Sequence, residues 1–154
     1  MGRILTKDEL IEVTASIKAS GKRIVFTNGC FDIIHIGHIR YLKKAKALGD
    51  LLVIGLNSDS SVKGLKPGRP IVQESQRAEV LAALEMVDFV TIFSEATPYE
   101  LIKHIKPDVL VKGGDWKKED IVGSDLVPEV HSLPFIEGSS TTGIVNRIIA
   151  CSGK

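Results

Sequence analysis

Leu51-Leu-Val-Ile-Gly-Leu56 is an unbroken apolar run of strand length. A strand with one wet face alternates apolar and polar residues. A run that is apolar at every position fits a strand covered on both faces, as in a parallel sheet. Four other short runs read as strands: Arg23–Phe26, Phe89–Phe93, Val109–Val111 and Val130–Leu133. Helical patterns fall between and around them, over Thr6–Ser20, His38–Leu48, Glu74–Leu84, a helix opening at Thr97-Pro-Tyr-Glu100, and Thr141–Ala150. Thr6 and Glu9 have capping-box spacing, and Thr97, Pro98 and Glu100 suggest an N-cap, a first-turn proline and a box glutamate. Strands separated by helices predict βαβ units, so the expected fold is α/β, a doubly wound parallel five-stranded sheet of Rossmann-like kind. Nothing in the composition divides residues 1–154, which read as a single domain with an N-terminal helix (1–21) and a core (22–150).

In such sheets ligands sit beyond the carboxyl ends of the strands. The segments to inspect are therefore Thr27–His38, Asn57–Val72 and Lys112–Trp116. A net charge of +1 leaves no global field for nucleic acid or an anionic membrane, and 5% aromatics leave little for base-stacking along a strand. Cys30 and Cys151 are too few for a disulfide framework. With no membrane-length apolar run and no signal peptide, a cytoplasmic location is expected. The chain lacks G-x-x-x-x-G-K-[ST], G-x-G-x-x-G and G-x-S-x-G, so any nucleotide is held without those loops.

Thr27-Asn-Gly-Cys-Phe-Asp-Ile-Ile-His-Ile-Gly-His38 is the most informative stretch. His35 and His38 fall where a helix begins, and a helix start offers free N–H groups and a positive dipole end to an anion. Imidazoles add donors, and Gly29 and Gly37 allow close backbone approach. Cys30, His35 and His38 also form an incomplete metal-ligand set, and ordinary structural histidines are the third reading.

Gly29–His38 resembles the G-x-F-D-x-x-H-x-G-H signature of the cytidylyltransferase-like nucleotidyltransferases. Class I aminoacyl-tRNA synthetases share the H-I-G-H tetrapeptide but need a K-M-S-K-S loop, which is absent. The resemblance continues through Asn57-Ser-Asp59, Arg69-Pro70, Gln76-Arg77, Asp88, Val111–Trp116 and Glu137–Thr142. Within the family these residues are most similar to adenylyltransferases that make ADP-heptose, in a stand-alone form whose heptose kinase would be a separate chain.

The resemblance implies adenylyl transfer from ATP to a heptose 1-phosphate, with pyrophosphate released and Mg²⁺ accompanying the nucleotide. It implies His35 and His38 at the α- and β-phosphates and Ser139, Ser140, Thr141 and Thr142 at the β- and γ-phosphates. Thr27, Asn28, Gly29, Cys30, Phe31 and Gly37 would line the phosphate path. Lys112, Gly113 and Asp115 would meet the nucleoside. Asp32 is a candidate Mg²⁺ ligand or a loop-capping carboxylate. The Asn57–Val72 stretch reads as a basic loop closing over the substrates, with Lys63 the first choice for a catalytic cation. Lys66, Arg69, Arg77, Asn57 and Asp59 are candidates for the sugar phosphate. Phe135 stands where CTP-using relatives often have Arg, which weakens a CTP-dependent glycerol-3-phosphate cytidylyltransferase reading. A nucleotide-binding module without turnover is the remaining alternative, and a homodimer is among the assemblies the resemblance implies.

Overall fold

The computed structural model describes residues 1–153. Its elements run β1 (Arg3–Ile4), α1 (Lys7–Ala19), β2 (Ile24–Gly29), α2 (Ile36–Lys46), β3 (Leu51–Asn57), α3 (Asp59–Leu65), α4 (Glu74–Ala82), β4 (Phe89–Phe93), α5 (Tyr99–Ile105), β5 (Val109–Gly113), β6 (Glu129–Leu133) and α6 (Thr141–Ser152). The strands form one sheet in the order β1-β4-β3-β2-β5-β6, with every pairing parallel. The doubly wound α/β architecture is as expected, with six strands instead of five. The added strand, β1, is two residues long and pairs Arg3 with Phe89 and Ile4 with Val90. So short a segment carries no periodicity, and its only signature is backbone pairing.

Both sheet faces are covered. Val25, Leu52, Ile54, Leu56, Val90 and Val111 pack against Leu42 and Ala45 of α2 and Ala78 and Leu81 of α4. On the other face Ile24, Phe26, Val53, Phe89 and Leu110 meet Leu10 of α1 and Leu101, Ile102 and Ile105 of α5. Neighbours along each strand go to opposite layers, which is why the runs are apolar throughout.

Thr6 and Glu9 form the expected reciprocal cap of α1. The helix α5 starts at Tyr99 and has no side-chain cap, so Thr97 does not play the expected part. A larger difference lies at 57–72. Ser58 accepts the Ser61 N–H and starts α3, with Val62 fully buried beneath it. The expected open loop is therefore partly helical. No helix among the described residues is long and apolar enough to cross a membrane.

The chain leaves β2 toward β3 and β4 on one side, and β5 and β6 lie on the other. The switch point thus falls between the carboxyl ends of β2 and β5, where a doubly wound sheet opens a crevice.

Candidate active site

The helix α2 starts earlier than its apolar spacing suggests, so that His35 is the N-cap and His38 the third helical residue. His35 Nδ1 accepts the Gly37 N–H at 3.1 Å, and His38 Nδ1 accepts the His35 N–H at 3.4 Å. The two imidazoles thereby act as a reciprocal capping box. Their ring centroids are 3.9 Å apart, and the Phe31 ring lies 5.3 Å from His38.

That pattern decides the tautomer. A neutral imidazole whose Nδ1 accepts carries its proton on Nε2. Burial lowers the pKa of both rings, and His38 falls to about 4 with His35 and Lys66 adding to the effect. Each ring is therefore neutral near pH 7 and holds an Nε2–H with no partner among the described residues. Such a donor suits a phosphate oxygen without requiring a buried cation.

The second helix start comes to the same place. Ser140 caps α6 by accepting the Gly143 N–H, and Thr141 Oγ1 donates to the Ile33 carbonyl. A Cβ built on Gly37 would lie 3.2 Å from Ser139 Cβ and 2.8 Å from His35 Cε1. Gly37 is thus the seam along which the starts of α2 and α6 meet. Thr27 is fully buried, and its hydroxyl bonds the Tyr41 hydroxyl at 2.6 Å; Tyr41 also donates to the Val111 carbonyl. Tyr41 locks α2 to β2 and β5. It lies three residues after His38, a helical spacing that could have marked it.

Phe31 sits at φ 43°, uncommon for an aromatic residue. A Cβ on Gly29 would meet its ring at 3.0 Å, so Gly29 gives Phe31 room to fold back onto His38. Asn28 and Cys30 are half-buried along the same segment.

Two lysines complete the charge. Lys112 is half-buried, and burial lowers its pKa, with Cys30 raising it and Lys66 lowering it further. Lys66 acts on both Lys112 and His38. Lys63 on α3 is exposed, as is Lys66 just beyond it. Lys66 is the lysine of this segment whose charge bears on His38 and Lys112.

Other expectations are corrected. The Arg77 side chain is fully buried and does not face a ligand. Its guanidinium donates to the carbonyls of Val72, Cys30 and Asn57 and pairs with Asp59 at 2.7 Å. Asp59 is committed to that pair, and Asn57, itself buried, donates from its side chain to Ser61. These three brace the site from behind. Asp32 accepts the Ile71 and Val72 N–H groups and the Arg69 guanidinium. Burial pushes the Asp32 pKa up, but these donors outweigh it and hold the carboxyl below its usual range. With both oxygens engaged by these donors, Asp32 serves in this structure as a loop clamp, the second of its two expected parts. Arg69 is likewise spent on Asp32.

Asp115 and Thr142 are exposed, near the ends of the two segments that frame the crevice. Phe135, which bears on the choice between ATP and CTP, and Trp116 are both exposed. Their rings lie against Gly113 and Gly114.

Two helix starts, paired neutral imidazoles and two lysines without a side-chain partner among the described residues lie at the switch point of a parallel sheet, an arrangement able to hold a phosphate group. The chain belongs to the cytidylyltransferase-like family, which matches residues 26–147. It is 57% identical over 94% of its length to the "Bifunctional protein HldE" of a Nitratiruptor species, covering 31% of that protein. It is 55% identical over 95% of its length to the protein of the same name from Wolinella succinogenes, again covering 31%. The chain therefore spans about a third of the length of the curated relatives it matches. Among solved structures, the lipopolysaccharide core biosynthesis protein from Thermoplasma volcanium superposes with a TM-score of 0.66 at 30% identity, covering 76% of this chain and all of the other. Pantoate-beta-alanine ligase from Francisella tularensis shares the fold, with a TM-score of 0.63 at 16% identity over all of this chain and 80% of the other.

Proposed function

We propose that this chain transfers the adenylyl group of ATP to a heptose 1-phosphate, forming ADP-heptose and pyrophosphate. An oxygen of the sugar phosphate attacks the α-phosphorus, the bond from that phosphorus to the bridging oxygen breaks, and the electron pair leaves on pyrophosphate. No enzyme nucleophile is needed, and the site contributes alignment and charge. The observation that carries the reading is the seam at Gly37, where the starts of α2 and α6 meet beside two neutral imidazoles.

His35 and His38 donate from Nε2 to the α- and β-phosphates. The start of α6, with Ser139 to Thr142, holds the β- and γ-phosphates. Lys66 and Lys112 offset the charge that builds during in-line attack, and we assign to Lys66 the part expected of Lys63. One such donor is worth about 10²–10³ in rate. Mg²⁺ enters as part of the ATP substrate, carried on the triphosphate. Support for a heptose acceptor comes from the sequence resemblance and from the kinship to a lipopolysaccharide core biosynthesis protein. The acceptor has to come from a reaction that phosphorylates a heptose.

Pyrophosphate release with ATP, Mg²⁺ and heptose 1-phosphate tests this. Release should fall by about 10² or more in His35→Ala and in His38→Ala. Equal turnover with CTP and glycerol 3-phosphate, or full activity in both variants, refutes the reading.

A further inference from the structure

The strands β2 and β5 are paired as far as Thr27 and Val111 and part beyond them. Past that point Asn28 and Gly29 pair with β3, while Lys112 and Gly113 pair with β6. Tyr41 of α2 stands in this fork. Its hydroxyl lies 2.6 Å from Thr27 Oγ1 and donates to the Val111 carbonyl at 3.2 Å. It therefore engages the last residue of each strand before the two separate. A Cβ on Gly113 would lie 3.4 Å from Tyr41 Cε2, so the ring also runs in van der Waals contact along the end of β5.

A phenol has one proton to give. With that proton on the Val111 carbonyl, Thr27 donates to the phenolic oxygen, and the three groups form one directed chain. Burial pushes the Tyr41 pKa up to about 12, with the Thr27 hydrogen bond opposing the rise. The phenol keeps its proton at neutral pH and has no acid–base part in the reaction. Its work is mechanical.

Leu42 and Ala45 are fully buried and already seat α2 on the sheet. Apolar contacts are not directional, so they allow the helix to roll or slide a little. A hydrogen-bonded chain is directional and fixes both movements. His38 lies three residues before Tyr41, one turn away on the same side of α2. Val111 directly precedes Lys112. One hydroxyl thus ties the helix that carries His38 to the strand end that carries Lys112.

We propose that Tyr41 is a positioning residue for the transfer reaction, its hydroxyl fixing where His38 Nε2–H and the Lys112 ammonium stand across the crevice. This rests on the adenylyl-transfer reading above and adds a residue beyond the H-x-G-H stretch. Donors that shift slightly still grip a triphosphate in its ground state. In-line attack needs both phosphates in one geometry, and a misplacement of about 1 Å costs about 10²-fold. The loss therefore falls on kcat and not on KM.

Pyrophosphate release with ATP, Mg²⁺ and heptose 1-phosphate is measured for wild type, Tyr41→Phe, Thr27→Val and the double variant, together with melting temperatures. Tyr41→Phe keeps the ring and loses the hydroxyl. It should lower kcat by roughly 10- to 100-fold and leave the KM for ATP within about twofold. Thr27→Val should lose less, because the phenol keeps Val111, and the double variant should lose no more than Tyr41→Phe, because the two hydroxyls act as one unit. The double variant strands no buried hydroxyl, so it should regain melting temperature over Tyr41→Phe while its kcat stays low. A kcat that recovers along with the melting temperature makes Tyr41 purely structural and overturns the proposal. An unchanged kcat in Tyr41→Phe, or a KM that rises as far as kcat falls, overturns it too. A second readout needs no turnover. In the ligand-free protein His38 is faced by His35, Lys66 and the Phe31 ring, and its Cε1–H resonance should be single in the wild type and broadened or split in Tyr41→Phe. Wild-type protein that turns over, with an unchanged ring resonance in Tyr41→Phe, overturns this role alone. Wild-type protein that releases no pyrophosphate overturns the reaction and this role together.

Discussion

Gly37 and Ser139 belong to different helix starts, yet a single Cβ on Gly37 would come within 3.2 Å of Ser139 Cβ. The same Cβ would lie 2.8 Å from the His35 ring, closer than real Cβ atoms approach. Gly37→Ala should therefore displace the imidazole and part the two helix starts. The expected result is a loss of pyrophosphate release of about 10²-fold, the worth of one positioned donor. The loss should come with little change in melting temperature, since α6 contributes no buried residue to the core. Kinetics and calorimetry on one preparation check both halves.

His38 should stay neutral well below the ordinary histidine value of 6.5, titrating only at about pH 4. Between those values the unfolded chain binds a proton that the folded protein refuses. The stability associated with this residue is complete above about pH 6.5 and is lost as pH falls toward 4, by at most about 3 kcal/mol. Nuclear magnetic resonance titration of the ring checks the pKa, and denaturant melts of wild type and His38→Gln check the stability. Adding nucleotide should move the His38 pKa upward, because a nearby polyanion favours the charged imidazole. An unchanged pKa with bound nucleotide would place the ring away from the phosphates.

Arg77 is fully buried and has four oxygen partners. Arg77→Met should destabilise the fold by about 3–5 kcal/mol, because it strands three carbonyls and leaves Asp59 without its cation. Asp59→Asn should do less, since Asp59 is partly exposed. Urea denaturation of both variants gives the ranking, and a larger loss in Asp59→Asn would reverse the argument.

Asp32→Asn separates the clamp from a metal ligand. As a clamp, it should speed amide exchange at Ile71 and Val72, whose N–H groups Asp32 accepts. The Mg²⁺ concentration giving half-maximal turnover should stay within about twofold, since the metal is carried on the triphosphate. A tenfold rise in that concentration with unchanged exchange would restore Asp32 as a ligand.

The sheet and its switch point were legible because apolar runs at every strand position can only be buried on both sides. The H-x-G-H stretch was legible because its histidines and glycines sit at one helix start. What escaped depends on tertiary contact. The helix α3 was hidden by its polar residues, although Ser58 and Val62 mark its cap and buried side. Arg77 looks the same in sequence whether it faces a ligand or braces a loop, and only its carbonyl partners distinguish the two. Lys63 and Lys66 are equally basic. They differ in place, Lys63 lying within α3 and Lys66 at its C-cap, and the sequence alone does not mark that boundary.

The Arg77 guanidinium joins the ends of three segments, at Cys30, Asn57 and Val72. Those segments are consequently not interchangeable parts. Grafting a foreign stretch between residues 58 and 72 to redirect acceptor choice would also disturb the carbonyl behind the histidine segment. Acceptor redesign in this scaffold therefore has to keep Arg77 and the three carbonyl positions together as one inherited unit.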